Sequence, residues 1–308
     1  MASMVSEFQY PVLLSGSPLP IRIYGTAFGP NRPVPHVIDA LREGYRAIDT
    51  ASTRKVHNEV SDGEDIATAL QDAKMALKRE DLFIQTKFAP AWTQAEPWAF
   101  DVGDDLQTQV YKSALRSGTA LKVDAIDAYL LLQPMGTMEE TRMVWQAMED
   151  IYHHGGVRYL GICKADLPVL ASIYEKATVK PSIVQNRFTH RNQYDKLVLD
   201  YCKEHKICYQ AWGVFSEENK AVAKAVMGDI HARGFRVAGA DFDFFLQCIM
   251  AMNQRQAVMF HIVDGSSNVE HMRQNLKIGA ESASIGDDLI VAFRDALDQY
   301  HMRAKSTA

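Results

Sequence analysis

Cysteine is scarce in this chain: Cys163, Cys202, Cys208 and Cys248 are the only four in 308 residues. They show no paired metal-ligand spacing and no disulfide density, so a reducing compartment is expected and no metal centre. No segment approaches the roughly 20 apolar residues that a membrane span needs. The N-terminus also lacks the charged start and apolar stretch of a signal peptide, which together predicts a cytoplasmic protein with no membrane partner. Met1-Ala2-Ser3 ahead of Met4 reads as an appendage, with Met4 as the expected natural start. An excess of one charge is missing too: the net charge of −5 is modest and spread along the chain, which argues against a nucleic-acid partner. No G-x-G-x-x-G follows the first strand-like run, and this counts against a doubly wound dinucleotide-binding sheet. Nothing in the sequence specifies an oligomeric state.

What the chain does have is 47% hydrophobic residues arranged in short runs. Eight runs stand out: "IRIYG" (21–25), "RAIDT" (46–50), "LFIQTK" (82–87), "AIDAYLLL" (125–132), "VRYLGI" (157–162), "SIVQN" (182–186), "ICYQAW" (207–212) and "VMFHIV" (258–263). Between them apolar residues recur at helical spacing, as in Val37, Ala40 and Leu41 closed by Gly44, or Ile66, Leu70, Ala73 and Leu77. Eight strands each followed by helical sequence, in a chain of this length, predict a (β/α)8 TIM barrel. One domain over 1–308 is expected, with an N-terminal extension at 1–20. The apolar spacing of Leu289, Ala292, Phe293, Ala296, Leu297 and Tyr300 predicts an additional C-terminal helix, about 280–300, outside the eightfold count.

In such a barrel the chemistry gathers at the C-terminal ends of the strands, where the following loops share one mouth. The polar residues ending apolar runs are Asp49, Lys87, Gln185 and the "DGSSN" after the eighth run. Asp49 and Lys87 end neighbouring runs, so an ion pair is expected that would shift both proton affinities. That pair fits a catalytic role and a structural closure of the barrel end equally.

The stretches "GYRAIDTA" followed by "NE", "LFIQTKF", "GGVRYLGI", "PSIVQNRF" and "DYCKEHKICYQAW" resemble the aldo-keto reductases. "VQNRF" with "YQ" before an aromatic is most similar to a fungal branch, and the resemblance runs from about Ile21 to Asn275. It implies a nicotinamide cofactor, NADP(H), stretched across the barrel mouth. It also implies a tetrad of Asp, Tyr, Lys and His, in which Tyr protonates a carbonyl oxygen as hydride arrives. Asp49 and Lys87 match their tetrad partners, but His57 stands directly before Asn-Glu where the resemblance expects the tyrosine. "LLLQP" places Leu132 where it expects the histidine.

The exchange alters the chemistry. A phenol has a pKa of about 10 and an imidazolium about 6.5, so a neutral His57 near an ammonium is a better base than a tyrosine and a poorer resting acid. A solvated loop histidine is the plain alternative. At the cofactor pocket the resemblance assigns the nicotinamide amide to Gln185 and a Ser-Asn pair, and ring stacking to Trp212. Cys163 and Lys164 replace that Ser-Asn pair. Lys164 offers the amide no acceptor, which weakens the expected grip. Gly265, Ser266, Ser267, Arg273 and Asn275 resemble the segment that holds the adenosine phosphate, with close backbone approach at the glycine and a serine-capped helix start. The lysine expected before the serine is missing.

Three functions fit these residues. The first, which the exchanged residues favour, is acid-base chemistry on a small carbonyl-containing, natural-product-like molecule: isomerisation, epimerisation, dehydration or cyclisation. His57 would move the proton, and Asp49 and Lys87 would tune it. The second is NAD(P)H-dependent reduction of a carbonyl or alkene with His57 as proton donor, and the third a catalytically silent binding protein. The aromatic loop Ala89–Gly103 with Trp92 and Trp98, and the stretch Gly213–Asp243, are expected to roof the mouth over a small ring-bearing substrate, with Leu132 and Lys164 as further pocket residues.

Overall fold

Each predicted run becomes a strand because a parallel barrel buries both faces of every strand, so the sequence is apolar without alternation. In the computed structural model, which describes residues 10–28, 36–95, 98–237 and 239–306, the strands are β1 (Arg22–Gly25), β2 (Ala47–Asp49), β3 (Phe83–Phe88), β4 (Ile126–Leu131), β5 (Val157–Cys163), β6 (Ile183–Arg187), β7 (Cys208–Trp212) and β8 (Phe260–Asp264). All pair in parallel in chain order, and β8 returns to β1, with Arg22 opposite Ile262, to close the ring. The helices are α1 (Val37–Glu43), α2 (Glu59–Gln71), α3 (Leu106–Leu121), α4 (Met138–His153), α5 (Leu167–Lys176), α6 (Lys196–His205), α7 (Glu217–Ala232), α8 (Asp241–Arg255), α9 (Val269–Glu281) and α10 (Asp287–Ser306). The (β/α)8 barrel and its additional C-terminal helix are therefore as the sequence predicts. Met1-Ala2-Ser3 lies outside the described residues.

Local chemistry sets the helix ends. Asp105 accepts a hydrogen bond from Thr108 N at 2.7 Å to open α3, and Thr137 and Glu140 form a reciprocal capping box at α4. Gly44 closes α1 at φ 115°, a left-handed conformation that a side chain would resist. α2 passes so close to α3 that a Cβ on Gly63 would overlap the carbonyl of Ala120. Beneath the barrel, Val12 bridges Pro18 in a short hairpin that drives Leu13 and Leu19 against Phe83, Ala128, Ile183 and Cys208 from four strands. Burying a leucine contributes about 1.5–3 kcal/mol, so this plug seals the N-terminal end and leaves the other end for function.

Residues 213–243 depart from the expected roof. Val222, Val226, Met227 and Ile230 share one face of α7 and are buried where it packs on α10, so the middle of the stretch belongs to the helical shell. Phe215 and Lys220 at one end, and Phe242 and Asp243 at the other, border a cleft at the barrel mouth.

Candidate active site

Asp49 ends β2 with its carboxylate facing into the ring, 3% exposed, and it gathers three donors from β3 and β6. Its Oδ1 accepts from Lys87 Nζ at 2.6 Å, Gln85 Nε2 at 2.5 Å and Gln185 Nε2 at 3.1 Å. Lys87 also donates to the carbonyl of Thr50 at 2.8 Å. Below them Gln85 and Gln210 exchange two amide hydrogen bonds of 2.8 Å across the lumen, and Gln185 donates to the same Gln210 oxygen at 2.9 Å. Asp49, Lys87 and Gln185 thus meet at one mouth. The two interior glutamines that complete the network were not anticipated, although each is a polar residue inside an otherwise apolar run.

His57 lies in the β2–α2 loop, and that loop is held at every turn. Thr26 N bonds Asp49 O at 3.0 Å, Phe28 N bonds Val56 O at 2.9 Å, and His57 N bonds Thr53 O at 3.0 Å. Ser52 reaches Lys87 O through both its N, at 3.2 Å, and its Oγ, at 2.9 Å. The imidazole is buried at 6% exposure, with Nδ1 3.0 Å from Thr26 Oγ1. Burial, and then the nearby Lys87 ammonium, push its pKa down to about 3 against a smaller opposing pull from Asp49. His57 is therefore neutral through the physiological range, and no solvated loop residue.

A second buried carboxyl stands behind it. Asp62, in the first turn of α2, accepts through Oδ2 from Thr50 Oγ1 at 2.7 Å and from Thr26 Oγ1 at 3.0 Å, and the two hydroxyl oxygens are 3.0 Å apart. Burial raises the Asp62 pKa to about 7, with the two threonine hydrogen bonds opposing the rise. Glu59, one turn earlier, accepts from Thr86 Oγ1 at 2.5 Å and is likewise raised, by burial first. One sequence cue pointed to Asp62: it lies four residues before Ile66, on the apolar face of its helix.

The β5–β8 side of the mouth differs. Cys163 is buried, its thiol pushed up to about 12 by burial, and its Sγ lies 3.7 Å from Gln185 Oε1. Lys164 is exposed and reaches Gln133 Oε1 at 3.3 Å. The Arg187 guanidinium sits 5.5 Å from the centroid of the Trp212 ring. Beyond, Ser266, Ser267, Asn268, His271, Gln274 and Asn275 line a cleft of about 600 Å³ over the start of α9, whose cap Asn268 accepts from Glu270 N and His271 N. A Cβ on Gly265 would overlap the carbonyl oxygen of Gly25, so β1 and β8 close together only around a glycine. Arg273 points elsewhere: it pairs with Glu43 at 2.6 Å and Glu270 at 2.6 Å, while His271, unflagged by the sequence, lines the cleft. Around the rim Leu132 is half-buried at the exit of β4, Trp98 is half-buried, and Trp92 is 58% exposed.

The family model for the aldo/keto reductase family matches residues 27–220. The chain belongs to the aldo/keto reductase family. It is 30% identical over 174 residues to an uncharacterized oxidoreductase of Bacillus subtilis, a match covering 56% of this chain and only 55% of that relative's length. It is 28% identical over 287 residues to an NADPH-dependent codeinone reductase of Papaver somniferum, covering 86% of this chain and 83% of that one. An aldo-keto reductase of Bombyx mori in complex with NADP superposes with a TM-score of 0.67 over 92% of this chain and 91% of that one, at 19% identity, which is likeness of fold.

Aldo/keto reductase membership implies a nicotinamide dinucleotide, and the residues here fit its two ends unequally. The cleft over α9 offers capped backbone, Ser266, His271 and Lys220 at the adenosine end, with the Asp243 carboxylate as the opposing charge. At the other end the Gln185 amide is committed to Asp49, Gln210 and Cys163, Lys164 brings a charge and no acceptor, and Arg187 lies against Trp212. A nicotinamide amide finds no free partner among these residues.

Proposed function

We propose that this aldo/keto reductase works by acid-base chemistry on a small carbonyl-containing, ring-bearing molecule, moving a proton within the substrate. The observation that carries this reading is the state of His57: buried, held through Nδ1, and kept neutral by burial and Lys87. A neutral imidazole holds one N–H and one lone pair, and with its hydrogen on Nδ1 toward Thr26 it enters the reaction as an acceptor through Nε2. By itself it is a weak base. An oxyanion developing on the substrate beside Lys87 would raise the proton affinity of the ring, so proton removal and charge formation support one another. Lys87, fixed by Asp49 and Thr50 O, polarises the carbonyl oxygen; Leu132, Trp98, Trp92 and Lys164 border the substrate. Isomerisation, epimerisation, dehydration and cyclisation all begin with such a step, and the aromatic rim suits a natural-product-like ring system. The resemblance of "VQNRF" and "YQ" supports a place in the fungal branch, and His57 at the tyrosine position with Leu132 at the histidine position supports a tetrad changed at two members.

A second reading keeps the redox reaction, and the cleft over α9 favours it. In that case NADP(H) would lie between Ser266 and Trp212, and His57 would act as a neutral donor to the carbonyl. Two measurements separate the readings. Cyclic ketones incubated with the protein in D2O, without nicotinamide, should take up deuterium beside the carbonyl, and the uptake should vanish in His57→Ala. Titration with NADPH and NADH, followed by tryptophan fluorescence, should show weak binding or none. A protein that is inert alone and consumes NADPH in step with product overturns the acid-base reading.

A further inference from the structure

We propose that Asp62, acting through the Thr26 hydroxyl, is a positioning residue that selects which ring nitrogen of His57 carries the proton. The inference rests on the reading of His57 as the proton-moving group, and it follows from counting protons in a closed chain of hydrogen bonds. Thr26 Oγ1 lies 3.0 Å from His57 Nδ1, 3.0 Å from Asp62 Oδ2 and 3.0 Å from Thr50 Oγ1, yet a hydroxyl has one proton to give. All four side chains are buried, so no bulk solvent supplies a substitute.

When Asp62 is ionised it accepts from both threonines. Thr26 has then spent its proton and can only accept from the ring, so Nδ1 holds the hydrogen and Nε2 presents a lone pair: His57 is a base. When Asp62 is protonated it donates to Thr26, or to Thr50, which passes its own proton on to Thr26. Thr26 now donates to Nδ1, and the neutral ring must carry its hydrogen on Nε2: His57 is a hydrogen-bond donor. The ring stays uncharged throughout, and only the tautomer changes. Each arrangement conserves the protons of the chain apart from the single one that Asp62 exchanges.

The charged and titratable surroundings leave Asp62 free to act as the switch. Glu59 and Asp65 flank it on α2; Tyr24 of β1, and Thr26 and Thr50 just past β1 and β2, face it, while Thr86 and Lys87 of β3 act on its neighbour Glu59. Asp39 of α1 and Arg116 of α3 act on its neighbours Tyr24 and Glu59. Among the described residues no cation pairs with Asp62, and burial raises its pKa to about 7, within reach of an ordinary titration.

The test reads the tautomer directly. Protein labelled with ¹⁵N-histidine is followed by long-range ¹H–¹⁵N correlation from pH 5 to pH 9, with His57→Gln identifying the resonances. The wild type should pass from an Nε2–H ring at low pH to an Nδ1–H ring at high pH in one transition. Asp62→Asn has no proton to lose, and Thr26→Val breaks the chain, so either should hold one tautomer across the range; Thr26→Ser should restore the switch. A wild-type ring that keeps one tautomer from pH 5 to pH 9 overturns the proposal, whether or not the variants fold. So does a transition that survives in Asp62→Asn. If the tautomer switches as described but no deuterium enters any ketone, the relay stands and the acid-base reading fails, which keeps the two separable.

Discussion

The two sides of the barrel mouth have been treated differently. On the β1–β3 side, Asp49, Lys87, His57, Thr26, Thr50 and Asp62 are buried and joined by hydrogen bonds of 2.6 to 3.0 Å that leave the imidazole held in place. On the β5–β8 side, Gln185 is turned inward to satisfy its neighbours, Lys164 is exposed, and Arg187 lies against Trp212. Keeping charged groups buried costs free energy unless every one is paired. That the first side bears this cost, while the amide of Gln185 on the second is spent inside the barrel, accords with the proton movement proposed above.

The comparison can be broken by substitution, beginning with the largest effect. His57→Ala should lower turnover about 10²–10⁴-fold, the usual worth of a positioned proton-transfer group, with no nicotinamide added. A loss of less than threefold would remove the β1–β3 side from the chemistry. Lys87→Met leaves Asp49 buried without its cation; breaking a buried pair from one side costs about 3–5 kcal/mol, to be read from the urea midpoint at pH 7. On the opposite side Lys164→Asn should restore an acceptor and tighten NADPH binding about fivefold, roughly 1 kcal/mol for one hydrogen bond, by fluorescence titration. Failure to tighten would mean that the committed Gln185, rather than Lys164, is what excludes the amide.

The pH dependence of stability sharpens the same contrast. His57 and His261 are both lowered by burial, to about 3 and about 4, so their contribution is full above pH 6.5 and is lost as pH falls toward those values. Asp62, raised to about 7, contributes in the opposite sense: full below pH 4, lost as pH rises through 7. The slopes oppose one another between pH 4 and 6.5. Asp62→Asn should therefore uncover an acid lability steeper by up to about 1.4 kcal/mol per pH unit, measured as urea midpoints at pH 4.5, 5.5 and 6.5. The smallest effect should come from Arg273→Ala, which removes surface pairs with Glu43 and Glu270 and should leave dinucleotide binding unchanged, whereas His271→Ala, inside the cleft, should alter it.

Much of the barrel was legible because burial on both faces leaves an apolar run wherever a strand must go, and helical spacing marks the shell between. Asp49, Lys87 and His57 were legible because strand ends and a known motif locate them. Asp62, Thr26 and Thr50 were not. A carboxylate near a helix start reads as a complement to the helix dipole, and threonine beside a strand end reads as packing. The helical face distinguishes two of these positions: Asp62 shares the stripe of Ile66 and Ala69, and His271 shares a face with Asn275, while Arg273 falls between them. The α7 stretch was misplaced because loops and amphipathic helices with sparse apolar residues look alike until a neighbour, here α10, shows which face is covered.

The paired amides of Gln85 and Gln210 join β3 to β7, strands diametrically opposite in an eight-membered ring. They act as a strut that fixes the bore and as a floor that fixes its depth. Under the function proposed above, a guest entering the mouth would be stopped at the level of the Asp49 carboxylate and would lie across the opening instead of threading down the axis, with His57 and Lys87 against its flank. A broad, flat molecule is admitted by that shape, and a long thin one gains nothing from its length.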